Sequence, residues 1–236
     1  QGYSSAASDV YKRQSQSFVI YFLHFVHAKE NVQMLHLETI SPDTLTLLKK
    51  IQSLDEFNNT RLVGGTALAL QLGHRKSIDL DFFGNFETSL EELTTILSEF
   101  STVTPVSSSR MTRFLVVDGV KVDIVSYPYG WIDNPVSAEG VVLAGIKDIA
   151  AMKLSAITNR GTKKDFIDYY FLLKRYSLKE LIELYRQKYS DAQLFTSIKS
   201  LSYFDDAESD PMPDMIVPVD WDEVKSTIRN EVAKLF

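Results

Sequence analysis

Leu62-Val63-Gly64-Gly65-Thr66, followed by Asp79-Leu80-Asp81, is the stretch on which the reading of this chain turns. Thr60 to Val63 reads as a short apolar strand, Gly64-Gly65 as a turn, and Thr66 to Leu72 as a short helix stopped by Gly73. Ser77 to Phe83 reads as a second strand. Residues two apart on a strand share a face, so Asp79 and Asp81 project together while Leu80 and Phe82 enter a core. With Ile78, Leu80, Phe82 and Phe83 the strand reads as buried, and carboxylates in such a setting pair or coordinate a cation. Two glycines opening a helix let backbone N–H groups approach phosphate oxygens. Converging carboxylates beside that turn suit Mg²⁺ carrying a nucleoside triphosphate, and the expected chemistry is phosphoryl transfer.

Other groups extend the constellation. Asp123 lies in the apolar run Val120 to Val125, where a third carboxylate could complete a metal site or act as base for an incoming hydroxyl. The plainer alternative is an acid paired with Lys121 or Arg113. Arg75 and Ser77 alternate with Lys76 and so share the face of the two acids, suiting them to bind phosphate or order the carboxylates. His74 reads as a loop histidine. Lys153, Ala156 and Arg160 fall on one helix face, and Asp165 and Asp168 open the next helix. A lysine and an aspartate so arranged could clamp a triphosphate and orient an acceptor. Without that context they would be solvent-exposed charges.

Working outward, Ser41-Pro42 opens a helix reaching about Phe57, and Ser89 to Phe100 is amphipathic. Arg113 to Val117 and Val120 to Val125 form a hairpin through Asp118-Gly119. Tyr127 to Pro135 is a proline and aromatic loop, with a short extended piece near Val141 to Leu143. Helices are expected at Ile146 to Asn159, Lys163 to Arg175, Leu178 to Lys188, Asp191 to Ser202 and Asp220 to Leu235. The fold class is α+β. A small mixed sheet flanked by helices occupies 34–135, and a helical lobe over 136–236 completes the cleft.

Residues 1–33 read as foreign to the domain. Ser4 to Gln14 matches one frame of a sequencing-library adapter, and the apolar run Ser17 to His27 is too short to span a bilayer. Met34 is the expected start. The chain has no cysteine, which excludes disulfides, thiolate metal sites and cysteine nucleophiles. A reduced cytoplasmic setting with no membrane association follows as the expectation. The net charge of −6 argues against non-specific nucleic-acid binding, but 153–188 holds nine Lys or Arg against four Asp or Glu. That basic stretch would face a phosphate-bearing partner, or else form a solvated helix face.

Taken together, GGTALALQLGHRKSIDLDFF (64–83), VKVDIVSYPY (120–129) and KLSAITNRGTKKDFID (153–168) resemble the AbiEii/AbiGii-type nucleotidyltransferases. These are toxins of type IV toxin–antitoxin systems in the polymerase-β-like superfamily. The likeness implies transfer of a nucleoside monophosphate from an NTP, with Mg²⁺ on Asp79, Asp81 and Asp123 and pyrophosphate leaving. It implies nucleotide-binding roles for Gly64, Gly65, Thr66, Arg75, Ser77, Lys153 and Arg160, and catalytic roles for Lys153 and Asp165. Lys164 stands where the family motif usually has arginine, which keeps charge but loses bidentate phosphate recognition. An RNA acceptor, tRNA in some relatives, and a cognate antitoxin are the implied partners. Asp79→Asn or Lys153→Ala is expected to abolish transfer with the fold intact. Two rivals remain: transfer to a small molecule such as an antibiotic, and a non-catalytic nucleotide- or RNA-binding module on the same fold.

Overall fold

Side-chain capping sets four of the nine α-helix starts among the described residues. In this computed structural model, which describes residues 34–236, the Ser41 hydroxyl accepts from the Thr44 backbone N–H at 3.1 Å, and Pro42 opens α1 (Pro42–Gln52). Ser89 caps α3 (Leu90–Ser98), Ser177 and Glu180 form a capping box on α6 (Leu178–Lys188), and Asp220 caps α9 (Trp221–Ala233). Between them lie α2 (Gly64–Leu72), α4 (Ile146–Asn159), α5 (Lys163–Leu173), α7 (Leu194–Ser200) and α8 (Asp205–Glu208). The leader expected over 1–33 lies outside the described residues.

The strands are β1 (Thr60–Val63), β2 (Leu80–Gly84), β3 (Val103–Ser108), β4 (Thr112–Val117), β5 (Val120–Ser126), β6 (Val136–Ala138) and β7 (Val141–Leu143). They form one mixed seven-stranded sheet in the order β3-β4-β5-β2-β1-β7-β6. β2 runs antiparallel to β1 and parallel to β5, while β4 and β5 form the expected hairpin. Asp118 and Gly119 both take positive φ, 49° and 80°, as a tight two-residue turn requires. Leu62, Leu80, Phe82, Val122 and Ile124 on the central strands are fully buried.

Three sequence expectations are corrected. β2 begins at Leu80, so Asp79 sits just before the strand, and Ile78 is exposed rather than core. β3 was not expected: it is an edge strand, almost wholly exposed, with an irregularity at Pro105. The sheet also runs past 135, because β7 pairs in parallel with β1 and β6 pairs with β7. Helix α4 then packs against α2, α5, α6 and α7, joining the sheet side to the helical side. Residues 35–236 make one compact unit.

The acidic, proline-containing segment before α9 folds back on the residues leading into β2. Lys76 N–H donates to the Asp214 carbonyl, and Ile216 and Val217 donate to that of His74. No helix among the described residues is long and apolar enough to cross a membrane.

Candidate active site

Strand register brings the acids together. Asp81 on β2 is the direct partner of Asp123 on the parallel strand β5, and adjacent strands lie about 4.8 Å apart. Their side chains therefore stand side by side on one face of the sheet. Burial, then repulsion from Asp123, pushes the Asp81 carboxyl up to about 6. Asp123 Oδ1 is buried without a hydrogen-bond partner among the described residues, while Oδ2 accepts from the Lys121 ammonium at 2.6 Å. Lys164 lies 3.7 Å from Asp79. Two lysines thus partly neutralise an otherwise self-repelling trio of carboxylates.

Among the described residues no three acids or histidines converge into a preformed metal cage. The donor set nevertheless fits Mg²⁺. The oxygens are hard, one is orphaned, and one carboxyl is raised by burial and by its acidic neighbour, a cost that a bound cation would offset. Mg²⁺ in such sites usually takes only one or two carboxylates, with substrate phosphates and water completing its shell.

The glycines do more than their sequence setting suggested. Gly64 has φ +69°, and a Cβ there would collide with the Asp81 carboxylate; one on Gly65 would collide with the Arg75 guanidinium. Both glycines therefore make room for side chains as well as leaving the start of α2 open. No side chain among the described residues caps that start. Thr66 is buried and does not face the cleft: its hydroxyl donates to the Asp79 carbonyl and lies 2.9 Å from the Ser77 hydroxyl. It ties the start of α2 to the approach to the acids, and Ser77 lines the space beside them.

The motif on α4 and α5 is chiefly a buried ion network. Asp168 accepts from His74 Nε2 at 2.7 Å, from Arg75 Nε and Nη2 at 2.7 and 2.9 Å, and lies 2.5 Å from the Lys153 ammonium. Asp165 accepts from Lys153 at 3.0 Å, Arg160 at 2.9 and 3.1 Å, and the Thr162 hydroxyl at 2.6 Å. Burial alone would raise both carboxyls, but these cations hold them well below the usual carboxylate range. Burial opposes the charges on Lys153 and Arg75 too, and the aspartates more than restore them.

This corrects several expectations. Asp165 is fully buried, not solvent-exposed, with its oxygens engaged by Lys153, Arg160 and Thr162. Arg75 is clamped by Asp168 while it also lines the narrow polar space beside the acids. His74 is a buried member of the network whose loss of water lowers its basicity, not a loose loop residue. Lys153 still borders the cleft, but its removal would strand two buried carboxylates, so Lys153→Ala strikes the fold as well as the site. Lys163 and Lys188 are also buried, Lys188 against Asp148 at 2.7 Å, so the basic stretch is less of a surface than its charge count implied.

Two adjoining spaces complete the cleft. A narrow polar one of about 60 Å³ lies among Gly65, Ser77, the three acids and Lys164. A larger one of about 290 Å³ is walled by Gly64, Asp81, Phe83, Lys153, Arg160 and Tyr189. Asp81, Lys153 and Arg160 border both. The half-exposed cations around the acids are Lys121, Lys164 and Arg160.

Comparison with known proteins matches residues 46–234 to the family described as nucleotidyl transferase AbiEii toxin, type IV TA system. The chain belongs to this family. It is thus a nucleotidyltransferase toxin of the polymerase-β-like superfamily. An uncharacterized protein of Aquifex aeolicus, aq_aa25, is 38% identical over 191 residues, covering 78% of this chain and 92% of the relative. The fold resembles JHP933 from Helicobacter pylori, with a TM-score of 0.54 at 18% identity over 83% of this chain and 93% of that one. It also resembles MenT4, a nucleotidyltransferase toxin from Mycobacterium tuberculosis, with a TM-score of 0.53 at 16% identity over 82% and 80%. In this AbiEii-family chain the sheet, the glycine turn and the acid pair occupy one continuous cleft.

Proposed function

We propose that this protein transfers a nucleoside monophosphate from an NTP to an RNA acceptor, tRNA being the foremost candidate, and releases pyrophosphate. The observation that carries the reading is the register pairing of Asp81 with Asp123 beside the uncapped start of α2. Asp79, Asp81 and Asp123 would hold Mg²⁺, whose chemistry when bound is neutralisation of charge on the phosphates and on the attacking oxygen. The N–H groups opening α2, with Arg160 and Lys164, suit the β- and γ-phosphates. The unpartnered Oδ1 of Asp123 supports either of two roles, third ligand to the cation or base for the acceptor hydroxyl. The deprotonated acceptor oxygen then forms the new bond to the α-phosphorus while the bond to pyrophosphate breaks in line. Lys121, Lys164 and Arg160 are half-exposed beside the cleft, and once a cation takes over the carboxylates they pair with, they suit a polyanionic acceptor over a cationic small molecule. A cognate antitoxin is the partner this family membership brings with it.

The test is incubation of the protein with each α-labelled NTP, Mg²⁺ and total RNA. Label on an RNA species with equimolar pyrophosphate is the expected result, absent with Asp123→Asn. Label confined to a small molecule would replace the acceptor assignment. NTP binding with no turnover across acceptors would point to the non-catalytic module.

A further inference from the structure

Beyond the carboxylate cleft lies a second cavity of about 410 Å³, walled by Tyr127, Tyr129, Tyr185 and Tyr189. It shares Phe83, Ser155 and Tyr189 with the 290 Å³ space, so the two adjoin. We propose that this tyrosine-walled cavity binds an unpaired nucleobase next to the reacting end of the acceptor strand. This rests on the reading of the protein as an RNA-directed transferase.

The lining chemistry selects the ligand. Among the described residues the walls hold four tyrosines, a phenylalanine and one carboxylate, Asp191, with no lysine or arginine. Phosphate is therefore disfavoured there, and a flat, uncharged ring with polar edges is favoured. The space beside Gly64, Asp81 and Arg160 is the one that meets phosphate and metal chemistry, which assigns it to the donor nucleotide and leaves the tyrosine cavity to the acceptor. A third space of about 400 Å³ adjoins it at Tyr185 and Tyr189, and its wall carries Arg186 paired with Glu183 at 3.2 Å.

The platform is built to stay in place. The Tyr127 and Tyr189 hydroxyls are 2.8 Å apart, and the Tyr129 ring meets Tyr189 edge-on at 4.8 Å and Tyr127 at 5.2 Å. Behind them the Lys188 ammonium lies 5.0 Å from the Tyr127 ring and 4.7 Å from Trp131, while binding Asp148 and the Gly130 carbonyl. Asp148 in turn accepts from the Ile132 and Asp133 backbone N–H groups, fastening the loop. Tyr129 alone remains 47% exposed. Holding a large ring half in water on an anchored loop is what a stacking surface needs, since every base offers a π-face.

The experiment uses the full chain and a single-stranded oligoribonucleotide carrying 2-aminopurine near its 3′ end, whose fluorescence is quenched on stacking. NTP affinity is followed separately with a fluorescent non-hydrolysable analogue. Wild type and Tyr129→Phe should quench the probe. Tyr129→Ala should weaken probe binding by roughly 5- to 150-fold, the range of one base–aromatic stack, with NTP affinity unchanged. Because Tyr129 is half exposed, the alanine variant should fold, as circular dichroism will check. Equal probe binding by wild type and Tyr129→Ala overturns the proposal alone. Loss of NTP affinity instead would make the cavity the donor's base pocket and overturn it as well. Wild type that binds NTP but neither quenches the probe nor labels RNA overturns the RNA-directed reading itself.

Discussion

Replacing Asp81 by asparagine should make the metal-free protein more stable at neutral pH, the reverse of what most changes at a buried polar group do. A carboxyl raised from an ordinary 3.8 to about 6 costs the fold stability when it ionises. In sign, the contribution of protonated Asp81 is fully present below the unfolded value near 4 and is lost as pH rises through about 6. Asparagine cannot ionise and keeps it. A rise of about 2 units at about 1.36 kcal/mol each sets a ceiling of about 3 kcal/mol. Relaxation of the half-exposed Lys121 toward Asp81 reduces this to about 1–3 kcal/mol, or roughly 3–9 °C in Tm for a chain of this size. The assay is thermal or guanidinium unfolding of both proteins in EDTA at pH 4.5 and 7.5. The gain should be clear at 7.5 and small at 4.5. Added Mg²⁺ should stabilise wild type and leave Asp81→Asn unmoved. A variant less stable than wild type at pH 7.5, or a difference independent of pH, would refute the reasoning.

Gly64→Ala must place a side chain at positive φ against the Asp81 carboxylate; transfer should fall to background in the labelling assay, with about 1–2 kcal/mol lost from backbone strain in unfolding experiments. Asp168→Asn leaves Arg75 and Lys153 short of their counter-charge, and denaturation should show a loss of about 3–5 kcal/mol. Since Asp165 and Asp168 are held below the usual carboxylate range, their contribution is present above about pH 4 and lost as pH falls through their folded values; far-UV circular dichroism in an acid titration should show unfolding below about pH 4. Lys121→Met removes the ammonium that competes for Asp123, and calorimetry should show Mn²⁺ binding strengthened by about 1 kcal/mol, near fivefold; weaker binding would mean Lys121 orders the acids instead.

Local chemistry explains which parts were legible in the sequence. Ile146–Asn159 and Leu178–Lys188 occur where their apolar spacing and flanking residues put them, and the Asp118-Gly119 turn is where its dipeptide demands. Edge strand β3 carries no alternation of burial to read, and β6 is only three residues long. The acid pair was legible because strand periodicity and an apolar setting are local properties. The ion network was not, because its partners Arg75 and Asp168 are 93 residues apart, and a charge on a helix reads as solvent-facing until its counter-charge is found. His74 had one available signal, its place next to Arg75 just ahead of the acid strand, but a histidine alone does not disclose a distant carboxylate. The tyrosine platform was similarly split: Tyr127 and Tyr129 come from a loop, Tyr185 and Tyr189 from the end of α6 and just beyond it.

Transfer by this cleft requires Asp81 and Asp123 to share a divalent cation in front of the glycine turn. Mn²⁺ and a non-hydrolysable NTP soaked into crystals of the protein, read by anomalous scattering, test this directly. The expected map places a peak at about 2.0–2.2 Å from oxygens of both carboxylates, with the triphosphate running toward the start of α2. A nucleotide bound elsewhere, or a Mn²⁺ peak that touches neither Asp81 nor Asp123, would contradict it.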